Sequence, residues 1–318
     1  MNIIFFGTGQ FAVESLVKLH LSNHNILMVV TQPDSKQGRG HNYKPSPVKS
    51  KALELGLEVF QPLDVNNIDS ITKLRAINAD IFIVVSYGSL LKRELLNISK
   101  YKSINLHPSL LPLYRGAAPI QRTLMNGDTI TGATVIEITE KLDAGDMLEQ
   151  VKLEIDDEWN YGDLSSKLSA IGSKLLLLAL EKIQNNKVIK TKQSDNYTYA
   201  KKIKKDEKYL DFNFKADDVA NKVRGLYPIL TPTAIYNNHY LGITKVKVER
   251  ELNLTGKIGE DIKKKKKKGI LVKCLENGIW ILGVKPEGKK EMSHLDFING
   301  THIKVGEKIL HKEINNVF

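Results

Sequence analysis

Apolar runs and amphipathic segments alternate through the first half of the chain. Continuous apolar runs predict strands that are buried on both faces of a sheet. The predicted strands are residues 2–6, 26–30, 81–85, 102–107 and 133–138. Apolar positions at helical spacing lie between them, and Ser46-Pro47 predicts the start of a helix over residues 48–55. This alternation is typical of an α/β domain with a Rossmann-like, open and mostly parallel sheet.

The pattern changes in the second half of the chain. An apolar stripe along residues 161–187 predicts a long amphipathic helix, and a polar segment without periodicity follows it. Beyond that segment, short alternating runs flank turn sequences such as Asn237-Asn238, which predicts a small β-barrel of the oligonucleotide-binding type. We therefore expect a Rossmann-like domain at residues 1–188, a linker at 189–206 and a basic C-terminal β-barrel domain at 207–318.

Positive charge is concentrated in the last third of the chain. Of the formal net charge of +11, +1 belongs to residues 1–200 and +10 to residues 201–318. A local excess of this size indicates a polyanionic partner, for which nucleic acid is the commonest candidate. The segment 201–205 contributes four lysines to this excess. The run Lys263–Lys268 is interpreted as a low-complexity, solvated loop.

Composition excludes several classes of protein. The chain has 318 residues, of which 42% are hydrophobic, and this is enough for two packed domains. Its longest apolar run, residues 175–180, is too short to span a bilayer, and its first residues do not resemble a secretory signal. With Cys274 as the only cysteine, an intramolecular disulfide and a multi-cysteine zinc site are excluded. We expect a cytoplasmic protein without a membrane segment or a metal.

The first strand runs into Gly7-Thr8-Gly9, which is a loose match to the dinucleotide-binding fingerprint. A nicotinamide-binding protein also needs an acidic residue at the end of the second strand. The sequence there is Thr31-Gln32-Pro33, and Asp34 follows only after the proline. We therefore expect the glycines to shape a tight strand-to-helix turn.

Three polar residues are candidates for catalysis. Asn105 and His107 project from the same face of a predicted strand that ends at Pro108, and Asp143 follows in a turn sequence. An amide that holds an oxyanion, an imidazole that moves a proton and a carboxylate that orients it suit the transfer of an acyl group onto an amine. A structural role stays open, because Asp-x-Gly commonly forms turns.

One long motif and several short blocks resemble a known family. The long motif is Asn105-x-His107-x-Ser109-Leu110-Leu111-Pro112-x-Tyr114-Arg115-Gly116-Ala117-Ala118-Pro119-Ile120. The short blocks include Phe11-Ala12-Val13, Thr31-Gln32-Pro33-Asp34, Gly38-Arg39-Gly40, Pro45-Ser46-Pro47-Val48-Lys49, Tyr87-Gly88, Tyr199-Ala200-Lys201 and Arg224-Gly225-Leu226. With these motifs the chain resembles the folate-dependent formyltransferases from end to end, and in particular the members that act on methionyl-tRNA.

The resemblance implies transfer of the formyl group of 10-formyltetrahydrofolate, as co-substrate, to the α-amine of methionine on initiator methionyl-tRNA, without a metal. By similarity, Asn105 would donate a hydrogen bond to the formyl oxygen, and His107 would stabilise the oxyanion or shuttle a proton. Asp143 would orient His107 and assist proton removal from the amine. The residues implied to line the folate site are Ser109, Leu110, Leu111, Pro112, Tyr87, Gly88 and Leu91.

The resemblance also implies that tRNA is the polyanion held by the basic C-terminal domain. The segment 34–49 matches the loop that reaches the tRNA acceptor stem in this family. The basic residues expected to contact tRNA are Arg39, Lys44, Lys49, Lys201, Lys202, Lys204 and Lys205. Nothing in the sequence requires more than a monomer.

Three alternative functions remain at this point. A related formyltransferase acting on a small amine, such as an amino sugar or a glycinamide ribonucleotide, would share Asn105, His107 and Asp143 but would need no basic C-terminal domain. A nucleic-acid-binding protein with a decayed catalytic half would need none of the three. A nicotinamide-dependent enzyme is disfavoured because the ribose-binding acid is missing.

Overall fold

A computed structural model of the protein describes residues 1–37, 42–250, 254, 256–265, 268–301 and 309–310. Arg39, Lys266 and Lys267 lie outside the described residues. The chain divides into two compact units. The first comprises Met1–Pro119, Ile130–Glu154 and Ser165–Ala200, and the second comprises Ile120–Thr129, Ile155–Leu164 and Lys201–Phe318. The domain boundaries expected at 188 and 206 stay a prediction.

Short strands and helices alternate along the described part of the first 200 residues. The strands are β1 (Asn2–Gly7), β2 (Asn25–Val30), β3 (Ser35–Gln37), β4 (Asn42–Lys44), β5 (Val59–Phe60), β6 (Ile81–Val85), β7 (Ile104–His107), β8 (Arg115–Gly116), β9 (Ile130–Glu137), β10 (Met147–Glu154) and β11 (Tyr199–Ala200). The helices are α1 (Val13–His20), which follows a 3₁₀ turn at Gln10–Ala12, α2 (Pro47–Glu54), α3 (Ile68–Ala76), α4 (Arg93–Leu96), α5 (Pro119–Asn126) and α6 (Tyr161–Gln184).

One large sheet organises the first unit. Its strands have the order β10-β9-β7-β6-β1-β2-β5. Neighbours from β7 to β5 are parallel, whereas β9 is antiparallel to both β7 and β10. The predicted strands are confirmed as β1, β2, β6, β7 and β9, with small shifts at their ends, and the predicted helices as α2 and α6. The Rossmann-like, mostly parallel sheet is therefore confirmed.

The centre of this sheet is buried on both faces, which is why its strands are visible in the sequence as continuous apolar runs. Phe5, Phe6 and Phe82 are fully buried, and the rings of Phe6 and Phe82 are 5.2 Å apart. The edge strand β10 has the opposite character, since exposed residues such as Glu154 alternate with partly buried ones. Its mixed composition explains why the apolar pattern does not reveal it.

The turn after β1 joins the carboxyl ends of β1 and β6. The amides of Thr8 and Gly9 donate to the Ser86 carbonyl at 3.1 and 3.3 Å. A Cβ atom on Gly7 would lie 3.1 Å from the Val85 carbonyl oxygen, and one on Gly9 would lie 2.8 Å from the Ser86 hydroxyl. The prediction of a tight strand-to-helix turn is confirmed.

The second unit contains a second sheet. Its strands are β12 (Thr233–Tyr236), β13 (His239–Glu249), β14 (Asp261–Lys265), β15 (Gly269–Lys273), β16 (Gly278–Pro286), β17 (Met292–Ser293) and β18 (Ile309–Leu310). A 3₁₀ turn at Lys205–Lys208 and the helices α7 (Ala216–Leu226) and α8 (His294–Thr301) accompany them. Within the described ranges, the helices of the chain fall short of the length and apolarity that a membrane span requires.

The second sheet is antiparallel and curls into a half-barrel. Its order is β14-β15-β16-β13-β12-β18, and β17 pairs with β16. The Ile309 amide donates to the Gly259 carbonyl at 2.8 Å, which ties β18 to the segment just before β14. Asn237 and Asn238 join β12 to β13 with φ angles of 48° and 62°, as a type I′ hairpin turn requires. The predicted hairpin and the small barrel-like domain are confirmed.

The lysine run is partly a strand. Lys263, Lys264 and Lys265 belong to β14 and pair with residues of β15. The loop interpretation is wrong for these three residues. An unbroken row of lysines shows no alternation between apolar and polar positions, so the strand is determined by its pairing with the apolar β15 and not by its own pattern.

Candidate active site

The structure brings Asn105, His107 and Asp143 together. Asn105 and His107 lie on β7, and Asp143 lies in the loop between β9 and β10. Asn105 Nδ2 is 3.4 Å from Asp143 Oδ1, and His107 Nδ1 is 3.5 Å from Asp143 Oδ2. The His107 side chain is buried, whereas Asn105 and Asp143 are partly exposed. An amide donor and a carboxylate are therefore accessible to a substrate beside a fixed imidazole.

A turn at residues 114–116 completes the polar surroundings of these three residues. The Tyr114 carbonyl oxygen is 2.9 Å from His107 Nε2, and the Gly116 amide donates to Asp143 Oδ2 at 2.8 Å. Because a carbonyl oxygen only accepts, this contact assigns a proton to Nε2 and leaves Nδ1 facing the carboxylate. Tyr114 and Gly116 both have positive φ angles, of 63° and 114°.

Residues 138–146, called the Asp143 loop below, fold back on the end of β9. Asp143 itself has a φ angle of 49°, in the left-handed region that aspartate tolerates better than most residues. The Glu137 amide donates to the Asp146 carbonyl at 2.9 Å. A Cβ atom on Gly145 would lie 1.8 Å from the Glu137 carbonyl oxygen. Only glycine fits at this position, so Gly145 is what allows the loop to approach β9.

Family models cover most of the chain. The model described as "Formyl transferase" matches residues 1–180, and the one described as "Formyl transferase, C-terminal domain" matches residues 202–302. A methionyl-tRNA formyltransferase from Sulfurihydrogenibium sp. is 40% identical over 97% of this chain and 99% of that protein. Another, from Thermodesulfovibrio yellowstonii, is 41% identical over 96% of this chain and 97% of that protein. The chain belongs to the methionyl-tRNA formyltransferase family. It is therefore a group-transfer enzyme.

Solved structures share the fold of this formyltransferase at low sequence identity. An N-formyltransferase from Helicobacter canadensis, solved with folinic acid and dTDP-3-aminofucose, superposes with a TM-score of 0.64 at 19% identity, over 91% of this chain and 99% of that one. HypX from Aquifex aeolicus gives 0.64 at 17% identity, over 94% of this chain and 48% of that one. At these identities the likeness supports the fold alone.

Three of the residues expected to line the folate site are held inside the formyltransferase fold. Ser109 is fully buried, and its hydroxyl donates to the Leu113 carbonyl at 2.6 Å. Tyr87 and Leu91 are buried in the core, where the Tyr87 ring lies edge-on to Phe6 at 5.5 Å. Burial raises the pKa of Tyr87 to about 12. Their burial is shown, and their place in a folate site stays a prediction.

The other expected folate residues include more accessible positions. Gly88 is exposed with a φ angle of 97°, and Leu110 and Pro112 are partly exposed. Leu111 is buried and accepts a hydrogen bond from Gln150 Nε2 at 3.0 Å through its carbonyl. Gly88 and Pro112 are therefore accessible to a ligand, whereas Leu111 is buried beneath the surface.

A cavity of about 350 Å³ opens beside Tyr87. Asp64, Ser89 and Leu90 also line it. Asn105, His107 and Asp143 are not among the residues that line it. Its volume falls in the range of small-molecule sites.

The basic residues of the segment 34–49 differ in their availability. Lys44 is exposed at the end of β4. Lys49 pairs with Asp34 at 2.7 Å, and Gln61 also donates to Asp34 at 2.8 Å. The hydrogen bond from Lys49, with that from Gln61, holds the pKa of Asp34 below its usual value. The Lys49 ammonium thus fixes the base of the segment, and its contact with tRNA stays a prediction, as does that of Lys44.

The lysines of the segment 201–205 are all exposed, and none of them forms an ion pair with another described residue. They are Lys201, Lys202, Lys204 and Lys205. Arg122 holds their backbone, since its guanidinium donates to the carbonyls of Lys201 and Lys202 at 3.0 and 3.4 Å and pairs with Glu207 at 2.6 Å. The contact of these four lysines with tRNA stays a prediction.

Sequence reasoning missed the support that residues 190–200 give to the site. Thr198 accepts the Tyr114 amide through Oγ1 and the Arg115 amide through its carbonyl, both at 2.8 Å. The Ala117 amide donates to the Ala200 carbonyl at 3.0 Å. The segment is polar and without periodicity, so only the family block Tyr199-Ala200-Lys201 signalled its importance.

We expect Gly145→Ala to lower the rate of formyl transfer on the order of 100-fold, because the added methyl group must push the Asp143 loop away from Glu137 and displace the carboxylate. Gly300→Ala is the control, since a Cβ there meets nothing within 4 Å. Steady-state kinetics of both variants check this. A Gly145→Ala enzyme with the wild-type rate contradicts the tight placement of the loop.

Proposed function

We propose that this formyltransferase moves the formyl group of 10-formyltetrahydrofolate to the α-amine of methionine on initiator tRNA. The carrying observation is the cluster of Asn105, His107 and Asp143 in a chain that matches named methionyl-tRNA formyltransferases over nearly its whole length. The exposed lysines of the segment 201–205 supply a surface for a polyanion.

In the proposed reaction, Asn105 stabilises the oxyanion. The amine attacks the formyl carbon, and the carbonyl oxygen becomes negative as the tetrahedral intermediate forms. One Nδ2 proton of Asn105 is directed to Asp143 Oδ1, which leaves the second for this oxygen. A donor fixed in this way stabilises charge that exists only after attack.

Asp143 and His107 take part in removing the proton from the attacking amine. Asp143 accepts a proton from the attacking amine, while its other contacts, to the Gly116 amide and the His107 ring, keep it oriented. His107 stabilises the oxyanion or relays the proton. As the intermediate collapses, the bond from the formyl carbon to N10 of the folate breaks. The proton lost by the amine ends on N10, so the step balances without a further reactant.

The choice of tRNA over a small amine rests on charge. The catalytic cluster alone suits either acceptor. Residues 201–318 carry +10 of the chain's net charge of +11, and the four lysines of the segment 201–205 lie at the beginning of this range without ion-pair partners among the described residues. A small amine gives no reason for such a surface, whereas the phosphates of a tRNA do.

The function is tested by offering 10-formyltetrahydrofolate with three acceptors in parallel: methionyl initiator tRNA, methionyl elongator tRNA and a ribonucleotide amine. We expect formylation of the initiator and little of the other two. Formylation of the small amine alone would overturn the assignment of tRNA. No transfer to any acceptor would overturn the enzymatic proposal.

We expect neutralisation of Lys201, Lys202, Lys204 and Lys205 to glutamine to reduce the salt dependence of tRNA binding. Each lost phosphate contact lowers the slope of log K against log[salt] by about 0.7 to 0.9. The matched control neutralises the exposed Lys152, Lys167, Lys174 and Lys187 of the first unit. If both quadruple variants have the same slope, the phosphate contacts lie elsewhere.

A further inference from the structure

We propose that Gln193 is a positioning residue for the transfer reaction, one that fixes the backbone of the Asp143 loop and thereby keeps the carboxylate against Asn105 and His107. This inference rests on the proposed function. Gln193 lies in the segment predicted as a linker and belongs to no block of the family resemblance. Its role follows from its contacts.

The side-chain amide of Gln193 has all its hydrogen-bonding positions filled. Nε2 donates to the carbonyl oxygens of Asp143 and Gly145, each at 2.8 Å. Oε1 accepts from Arg115 Nε and Nη2, at 3.0 and 2.8 Å. The orientation is unambiguous, because a flipped amide would direct its oxygen at two carbonyls and its NH₂ group at a guanidinium. Gln193 therefore binds the Asp143 loop through Nε2 and Arg115 through Oε1, and this pair of contacts is called the Gln193 grip below.

Arg115 gives the grip a rigid base. Its side chain is buried, and its guanidinium carbon lies 4.3 Å from the centre of the Tyr197 ring. The backbone of Arg115 lies in β8, which pairs with β11. A buried, stacked arginine loses little additional freedom when it donates to Gln193, so it fixes the position of the amide.

The residues just before Gln193 are also tied to the ends of the strands that flank the Asp143 loop. Thr191 and Met147 exchange two backbone hydrogen bonds, at 2.9 and 2.8 Å. Lys190 pairs with Glu137 at 2.6 Å. The segment therefore runs along the two strand ends that hold the loop, and Gln193 reaches the middle of the loop from there.

The loop needs this external tie because its own hydrogen bonds are few and its conformation is strained. Asp143 has a positive φ angle, and the described backbone bond within the loop tip, from Ala144 to Lys141, is long at 3.3 Å. The contacts of the carboxylate with Asn105 and His107 are 3.4 and 3.5 Å, so a small displacement of the loop would remove them.

Gln193→Glu isolates the grip on the loop. The carboxylate has nearly the same shape and keeps an acceptor for Arg115, but it has no proton to donate to the two loop carbonyls and repels them. We expect kcat to fall on the order of 10- to 100-fold, while KM for both substrates and the affinity for tRNA change less than about threefold. Amide hydrogen exchange in residues 138–147 should accelerate, which a role confined to global stability would not produce.

Gln184→Glu, the same substitution at an exposed position of α6, controls for the added charge. If Gln193→Glu loses cooperative unfolding, Gln193→Ala carries the same test, because water can fill the gap beside Arg115. If hydrogen exchange in the loop is unchanged, Gln193 does not fix the loop backbone. If exchange is faster but kcat is unchanged, fixing the loop does not affect the transfer reaction. A wild-type enzyme that formylates no methionyl-tRNA overturns the proposed function instead, and the exchange result still reports on the grip.

Discussion

The placement of a single carboxylate, that of Asp143, is the constraint on which the rest of the site depends. One of its oxygens faces the Asn105 amide, and the other faces the His107 ring and accepts the Gly116 amide. One strand of the sheet, a turn and a loop together therefore fix the positions of these two oxygen atoms. A carboxylate that accepts from the Asn105 and Gly116 amides and lies beside the His107 ring is held in one position by residues distant in sequence.

This placement is achieved by backbone conformations that cost free energy locally. Asp143 and Tyr114 have positive φ angles, and Gly145 stands where no side chain fits. Such conformations persist only where surrounding contacts determine them. Here those contacts come from residues 190–200, which bond to the 114–117 turn and to the Asp143 loop. The parallel sheet positions Asn105 and His107, and the irregular segment 190–200 positions the Asp143 loop against them.

The sequence predicts the parts of the molecule whose pattern is local. Strands β1, β2 and β6 are visible because both faces of each are buried, and the hairpin at Asn237-Asn238 is visible because few residues accept its backbone angles. The strand at Lys263–Lys265 and the edge strand β10 are not predicted from the sequence, because their pairing with neighbouring strands determines them. The proximity of Asn105 and His107 follows from strand geometry, but Asp143 joins them through a loop whose path no periodicity encodes. The role of Gln193 is not predictable from the sequence for the same reason, since its side-chain contacts are all with residues distant in sequence.

The most direct test of this account is the single-turnover rate of formyl transfer to methionyl initiator tRNA by Asp143→Asn. The amide has the shape of the carboxylate and can still face Asn105, His107 and Gly116, but it has neither the charge nor the basicity to take a proton from the amine. The account predicts a fall in rate of at least about 100-fold, with tRNA binding unchanged. A rate within about threefold of the wild type would contradict it.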